Sequence, residues 1–375
     1  MIQHTDKLNK PKERQAGIDF YKILCCFLIT TIHLFGYSEF LLNESITVPN
    51  FMVAGLLSAA NRIGTSGFVF ISGYYLSDKG TKIDLKRIIN FILELNFISV
   101  FVFLVVLLFN KNFSFNLLIK SIFPLLTQHF WYPFNYIVLL LLSPYLNLFI
   151  EKSNKQQLSG IIAILVSITC VFLKFDVFYS SSTFLGHSSH GFLWWILLYF
   201  SAAWYKRYGI RHTVLFGPVL FFASIMAGFA VIIGERFVPF INNFELMDDN
   251  SILGWVATCS SFVTFSNFKV KLGKNASAVI RYLVPATFIA YIFQEHNSIR
   301  ENLWLLVNVN RYAQSPVYKL ITVIVLLFLI LWAISVVIYM FYLLARKLYL
   351  DKISIKIENI ITKCCMRLIN YFHEI

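Results

Sequence analysis

The sequence is dominated by apolar runs of about twenty residues that recur along the whole chain. A helix of that length crosses the hydrocarbon core of a bilayer, which is about 30 Å thick. Of the 375 residues, 58% are hydrophobic and only 14% are charged, whereas soluble domains carry about 25% charged residues. The runs are continuous and do not alternate with polar residues, so they are not the strands of a membrane barrel. We therefore predict an all-α, polytopic integral membrane protein.

The apolar runs predict about ten transmembrane helices, joined by short linkers without an inserted soluble domain. We divide the chain into an N-terminal tail at 1–17, a membrane domain at 18–345 and a C-terminal tail at 346–375. The predicted spans lie near 18–38, 51–76, 88–109, 131–150, 158–175, 190–205, 212–233, 251–268, 280–299 and 317–345.

The distribution of lysine and arginine predicts the orientation in the membrane. With the N-terminus inside, the inside segments hold 22 of these residues and the outside loops hold six. The remaining four lie within or at the ends of spans. This bias places both termini in the cytoplasm, in a protein of the plasma membrane. It also accounts for the net charge of +13 without a nucleic-acid partner.

The C-terminal tail contains the stretch "KIENIITKCCMRLINYF", whose apolar residues recur from Ile357 to Phe372 at helical spacing. Lys356, Lys363 and Arg367 lie off this stripe. We predict an amphipathic helix on the inner leaflet of the bilayer. The alternative is a helix packed on its own protein. The six cysteines show no CxxC spacing, so no metal site is predicted.

The first span carries two ionisable residues, Lys22 and His33, in "YKILCCFLITTIHLFGY". Eleven residues make three helical turns plus about 20°, so both side chains share one face, about 16 Å apart. Asp19 shares this face and can pair with Lys22. The imidazole of His33 can take and return a proton, and Lys22 can hold a phosphate. The alternative is a buried structural histidine, with Lys22 reaching to the interface.

The second span carries Arg62 near its middle, where a cation needs a partner or a watery cavity. Glu94 in the third span is a candidate partner, which leaves a purely structural Arg62–Glu94 pair as the alternative. Gly64 and Gly67 predict close contact between helices in the same region.

Polar and aromatic residues cluster at the outer ends of the fourth and ninth spans. This composition suits a sugar, whose hydroxyls bind polar groups and whose ring face stacks on an aromatic side chain. The alternative is an aromatic belt with a solvated rim. His296 lies about 200° around a helix from Gln294, so the two share a site only if the helix ends near Gln294. The residues are His129, Trp131, Gln294, Glu295, His296 and Arg300.

Four stretches together resemble the acyltransferase-3 family of integral-membrane acyltransferases, which includes O-acetyltransferases of bacterial surface polysaccharides. The resemblance covers roughly 14–345 and includes the ten-span layout. The second stretch resembles the family in an Arg followed by an aromatic run that ends in Ser-Gly-Tyr. The third is similar to the family's His-x-Trp-Phe pattern. The stretches are "GIDFYKILCCFLITTIH", "NRIGTSGFVFISGYYL", "HFWYPFNYIVLLLLSPYLN" and "YIFQEHNSIRENLW".

The resemblance implies acetyl transfer from acetyl-CoA to a hydroxyl of a cell-surface or lipid-linked glycan, without a bound cofactor. His33 matches the family's catalytic histidine, Lys22 its donor-side arginine and Arg62 its second-span arginine. Two positions depart from the family: Lys22 replaces an arginine, and Gln294 stands where a histidine is frequent.

We expect His33 to be the general base or a transient acetyl carrier and Lys22 to bind the donor. We expect Arg62, His129, Trp131, Gln294, Glu295, His296 and Arg300 to bind the acceptor. Two alternatives remain: a polysaccharide flippase or transporter without chemistry, and a transferase of another acyl group such as succinyl.

Overall fold

The computed structural model describes residues 15–110, 113–127, 130–172, 191–209, 213–238 and 250–373. Within these ranges the chain is helical and contains no β-strand, which confirms the all-α prediction. The helices are α1 Ala16–Gly36, α2 Val48–Asn61, α3 Ile63–Leu76, α4 Leu85–Asn110, α5 Phe115–Ile122, α6 Trp131–Lys152, α7 Lys155–Cys170, α8 Phe192–Tyr208, α9 Thr213–Phe237, α10 Ile252–Ser266, α11 Lys274–Leu283, α12 Ala286–Glu295, α13 Arg300–Val307, α14 Val317–Ala345 and α15 Asp351–His373.

Six helical segments of the described residues are long and apolar enough to cross a membrane, so the chain is a multi-pass helical membrane protein. Two further apolar helices, α7 and α10, are shorter than a full span. The count of about ten spans and the division into three regions stay predictions. The six segments are Ala16–Gly36, Leu85–Phe109, Trp131–Lys152, Phe216–Phe237, Lys274–Glu295 and Val317–Arg367.

Two predicted spans are interrupted in the structure. The second is divided into α2 and α3 at Arg62. The ninth is divided into α11 and α12 at 284–285, where Pro285 lacks the N–H that a continuous helix would use. It also ends at Glu295, earlier than the predicted 299. These interruptions place backbone ends and polar side chains inside the helix bundle.

Helix α1 packs closely on α3 because glycines face it. A Cβ atom at Gly67 would lie 2.5 Å from Cys25 Sγ, and one at Gly64 would lie 2.9 Å from Ile29 Cγ1. The predicted close contact at Gly64 and Gly67 is thereby confirmed. Further along α3, a Cβ at Gly73 would lie 2.9 Å from the backbone Cα of Tyr199 on α8.

The C-terminal region continues α14 through a π-helical turn, Arg346–Leu350, into α15. Ser354 is buried and its hydroxyl donates to Asn90 Oδ1 on α4 at 2.6 Å, so α15 is anchored on the bundle. Ile360 and Cys364 on the predicted apolar stripe are exposed. The segment is therefore helical as predicted, and its contact with the inner leaflet stays a prediction.

We predict that Gly73→Ala destabilises the bundle because the new methyl group would press on the backbone of α8. Overpacking of this kind costs about 1–3 kcal/mol. The control is Gly160→Ala in α7, where nothing lies within 4 Å of the added Cβ. Its stability should be unchanged or raised by up to about 1 kcal/mol. Thermal unfolding in detergent measures both; equal midpoints for the two variants would contradict the close packing of α3 on α8.

Candidate active site

His33, near the end of α1, is held by two consecutive residues at the end of α12. Its Nδ1 lies 3.3 Å from Gln294 Oε1, and its Nε2 lies 3.4 Å from Glu295 Oε1. Both helices therefore bring their C-terminal ends to the same place, and both ring nitrogens have a partner. We call His33, Gln294, Glu295, Tyr37 and Arg300 the His33 cluster.

The contacts of Gln294 determine which nitrogen of His33 carries a proton. Its amide Nε2 donates to Thr30 Oγ1 at 3.2 Å and to the backbone oxygen of Ala290 at 3.0 Å. The amide oxygen therefore faces His33, and it can only accept. Nδ1 must be the donor, which leaves Nε2 facing Glu295 as the position that gains or loses a proton.

Glu295 is fixed from its other side by Tyr37 and Arg300. The hydroxyl of Tyr37 donates to both carboxylate oxygens, at 2.9 and 3.1 Å. Arg300 Nη1 lies 3.8 Å from Oε2. Glu295 was predicted to bind an acceptor; the structure places it against His33.

Aromatic rings complete the surroundings of His33. The Trp304 ring meets the imidazole edge-on at 6.0 Å between centroids and stacks on Tyr37 at 5.9 Å. Tyr37 was not among the predicted site residues. Tyr37 follows His33 by four residues, the spacing of neighbours on one helix face, and this was a usable signal.

Two cavities are lined by aromatic neighbours of His33. The α4 cavity, about 470 Å³, contains Tyr291, whose ring centroid is 6.5 Å from that of His33. The α13 cavity, about 680 Å³, contains Tyr37 and Trp304. The α4 cavity is lined by Ile29, Thr65, Phe68, Ser72, Arg87, Phe91, Glu94, Tyr132, Tyr136, Pro285, Thr287, Phe288 and Tyr291. The α13 cavity is lined by Tyr37, Ser38, Arg300, Glu301, Trp304, Leu305, Asn308 and Asn310.

The α4 cavity carries charges of both signs at the start of α4, where Lys86 and Arg87 lie with Asp84 and Glu94. Arg87 donates to the Tyr136 hydroxyl at 3.1 Å. A smaller space of about 400 Å³ adjoins the cavity, shares Arg87 and Glu94 with it, and adds Lys86. Arg87 was missed in the sequence because it looked like one of several loop cations. Its position at the first turn of an apolar helix was the available signal.

Lys22 is not among the residues that line the α4 cavity or the α13 cavity. It pairs with Asp19 at 3.7 Å, as predicted, and its ammonium lies 5.9 Å from the centre of the Tyr75 ring. The shared face of α1 therefore does not by itself bring Lys22 to the cavity next to His33.

Arg62 lies in a third cavity of about 510 Å³, together with Glu235 and Arg236 of α9. This lining contains no member of the His33 cluster. The proposed pair with Glu94 was wrong: Glu94 accepts a hydrogen bond from the Tyr342 hydroxyl at 3.5 Å. The prediction that Arg62 shares one acceptor site with the end of α12 is therefore not supported by the geometry.

Trp131 packs on aromatic neighbours instead of lining a described cavity. Its ring lies 5.7 Å from Tyr132 and 6.4 Å from Trp195. His129 lies outside the described residues. Gln294, expected to bind a sugar, is 1% exposed and engaged with α1, so the structure makes it a partner of His33 instead.

His296 faces away from His33 because α12 ends at Glu295. The residue has an extended backbone and is fully buried. Its Nε2 lies 3.1 Å from the backbone oxygen of Ser99, and its Nδ1 accepts the N–H of Ser298 at 3.2 Å. Nε2 thus joins the end of α12 to α4, and Nδ1 holds the turn that follows α12. An acceptor-binding role for His296 is not supported by this placement.

Among the described residues, no group of three His, Cys, Asp or Glu side chains is arranged to hold a metal ion. The site is therefore built from one imidazole, one carboxylate, an amide and aromatic rings.

We predict that His296→Ala lowers stability by about 1–3 kcal/mol, because it leaves buried partners on α4 without hydrogen bonds. Thermal unfolding in detergent measures this. His33→Ala is the comparison: Gln294 keeps its bonds to Thr30 and Ala290, and Glu295 keeps its bond from Tyr37, so the midpoint should fall less. A His296→Ala protein as stable as the wild type would contradict the structural role.

Comparison with known proteins identifies the family to which the chain belongs. The family model described as an acyltransferase domain, Acyl_transf_3, matches residues 15–341. No curated protein matches the chain. No solved structure matches it. Because the family model covers most of the sequence, the chain belongs to the acyltransferase-3 family and is an acyltransferase.

Proposed function

We propose that the protein transfers an acetyl group from acetyl-CoA to a hydroxyl of a cell-surface or lipid-linked glycan. It does so in the plasma membrane, with about ten spans and both termini in the cytoplasm. The observation that supports this function best is the contact of His33 with Tyr291, which lines one cavity, and with Trp304, which lines the other. A transporter without chemistry is set aside because the chain is an acyltransferase; another acyl group, such as succinyl, remains the alternative.

The donor enters the α4 cavity in this proposal. The excess of lysine and arginine assigns the start of α4 to the cytoplasm, where acetyl-CoA is found. Arg87 and Lys86 stand at the entrance and suit the phosphates of the donor, and the guanidinium of Arg87 can bind a phosphate bidentately. Lys22, near the same end of α1, remains proposed as a second donor contact.

The acceptor enters the α13 cavity. Arg300, Asn308 and Asn310 offer hydrogen-bond donors to sugar hydroxyls. The indole Nε1–H of Trp304 is buried and has no hydrogen-bond partner among the described residues. A glycan hydroxyl or ring oxygen would satisfy it, which supports a sugar as the occupant of this cavity.

His33 and Glu295 carry out the proton transfer. Nε2 takes the proton of the acceptor hydroxyl, and the nearby carboxylate stabilises the resulting imidazolium. Gln294 keeps the other nitrogen protonated, and so selects the reactive tautomer. An acetyl group carried briefly on Nε2 is the second route open to the same geometry.

We predict that His33→Ala abolishes acetyl transfer, while Glu295→Gln lowers kcat by about 10²-fold or more because it removes the charge beside Nε2. NMR of the acetyl content of surface glycans, together with transfer assays on purified protein, measures both. His296→Ala is the matched control, and its folded fraction should retain most activity. Normal acetylation by a well-expressed His33→Ala variant would refute the assignment.

We further predict that Arg87→Ala raises the KM for acetyl-CoA by about tenfold, because a charge-assisted contact to phosphate is lost. Lys22→Ala should raise it less, since Lys22 is already paired with Asp19. Lys79→Ala, an exposed cation in the preceding loop, should leave it unchanged. An Arg87→Ala enzyme with the KM of the Lys79→Ala control would show that the donor does not use this entrance.

A further inference from the structure

Two hydroxyl groups in the lining of the α4 cavity are buried, and neither O–H has an acceptor among the described residues; the oxygen of Tyr291 lies near the backbone N–H of Tyr132. They belong to Thr65 of α3 and Tyr291 of α12. Thr65 is 8% exposed and Tyr291 is 6% exposed. Ile29, which lines the same cavity, lies one helical turn before His33 on α1. The Tyr291 ring reaches within 6.5 Å of His33 between centroids.

The missing partner of Thr65 has a local cause. A helical threonine commonly donates to the carbonyl four residues earlier, as Thr30 and Thr169 do here. For Thr65 that carbonyl belongs to Asn61, in α2, beyond the break at Arg62. The break therefore releases the Thr65 hydroxyl from the backbone and leaves it available to the cavity.

Buried hydroxyls without partners destabilise a folded protein, and each one calls for an explanation. Two of them lining one cavity, next to a proton-transferring histidine, form a pair of donors ready for a ligand atom. Ile29 and Phe68 in the same lining offer no hydrogen bond, so the two O–H groups are donors for a polar atom that enters the cavity.

We propose that Tyr291 and Thr65 bind the carbonyl oxygen of the donor's acyl thioester and stabilise the oxyanion that forms on it. This rests on the proposed function, since it assumes that the acyl donor occupies the α4 cavity. Tyr132, in the first turn of α6, lines the same cavity, so the partial positive charge of a helix N-terminus lies nearby.

The step balances as follows. The acceptor oxygen attacks the thioester carbon and forms a C–O bond, while its proton moves to Nε2 of His33. The electron pair of the C=O π bond moves to the carbonyl oxygen, where the two hydroxyls donate to it. When the carbonyl re-forms, the C–S bond breaks, and the thiolate of CoA leaves and receives the proton from Nε2.

The test uses the full-length protein in detergent with acetyl-CoA, and the variants Tyr291→Phe and Thr65→Val. Removing an oxyanion donor costs about 10²–10³-fold in kcat, so we expect a loss of about 10²-fold for Tyr291→Phe and at least about tenfold for Thr65→Val. The dissociation constant of acetyl-CoA, measured without acceptor, should change by less than about threefold, because the contact strengthens in the transition state.

Stability provides a second readout. Because each variant removes a buried hydroxyl without a partner, its unfolding midpoint should equal or exceed that of the wild type. Thr258→Val in α10 is the matched control: its hydroxyl is also buried and without a hydrogen-bond partner, but it does not line the α4 cavity. It should show the same stability as the wild type and full activity. Full activity in Tyr291→Phe would overturn the proposal.

A donor analogue separates oxyanion binding from a general packing effect. In a dithioester analogue of acetyl-CoA, sulfur replaces the carbonyl oxygen, and sulfur is a weak hydrogen-bond acceptor. With this donor, the ratio of the wild-type kcat to the kcat of Tyr291→Phe should be much smaller than with acetyl-CoA. An unchanged ratio between the two enzymes would mean that Tyr291 only shapes the cavity. If the wild type transfers no acetyl group from acetyl-CoA, the proposed function fails; if it does and the variants match it, only this inference fails.

Discussion

The end of α12 at Glu295 is the constraint on which the arrangement of the bundle depends. Gln294 and Glu295 turn to His33 on α1, while His296 leaves the helix and binds Ser99 on α4. Gln294 and His296 are buried, so their polar groups need partners within the protein. Three consecutive residues therefore hold α1, α4 and α12 in one register. A helix continued through 296 would lose the contact of His296 with Ser99.

Much of the fold follows from hydropathy, because apolar length alone decides which segments cross a bilayer. The interruptions at Arg62 and Pro285 were harder to predict. Pro285 carries a local signal, whereas Arg62 is a residue with good helix propensity, and only its surroundings explain the break. The Arg62–Glu94 pair failed for a related reason: opposite charges in two spans indicate a need for partners but not which helices are neighbours.

The site also contains residues that could be predicted from the sequence and others that could not. His33 was found from its spacing and burial, and Tyr37 could have been found from the same helical period. The α13 cavity could not have been found, because its shape depends on contacts between distant segments. Asn310, for example, donates to the backbone oxygen of Ser38 at 2.7 Å, and its side-chain oxygen accepts from Asn43 at 3.2 Å. Arg87 could be distinguished from the other loop cations only once the cavity that it lines was known.

The contact of Gln294 with His33 affects whether protons can cross the membrane through the protein. In the proposed orientation, the α4 cavity is reached from the cytoplasm and the α13 cavity from the outer side of an energised membrane. A histidine with two titratable neighbours could pass protons in at one nitrogen and out at the other. Gln294 cannot accept a proton from Nδ1, so the ring must take and release protons at Nε2 alone. The amide of Gln294 therefore prevents a proton path through the imidazole ring. His33 can exchange a proton with its substrates, but protons cannot cross the membrane through it.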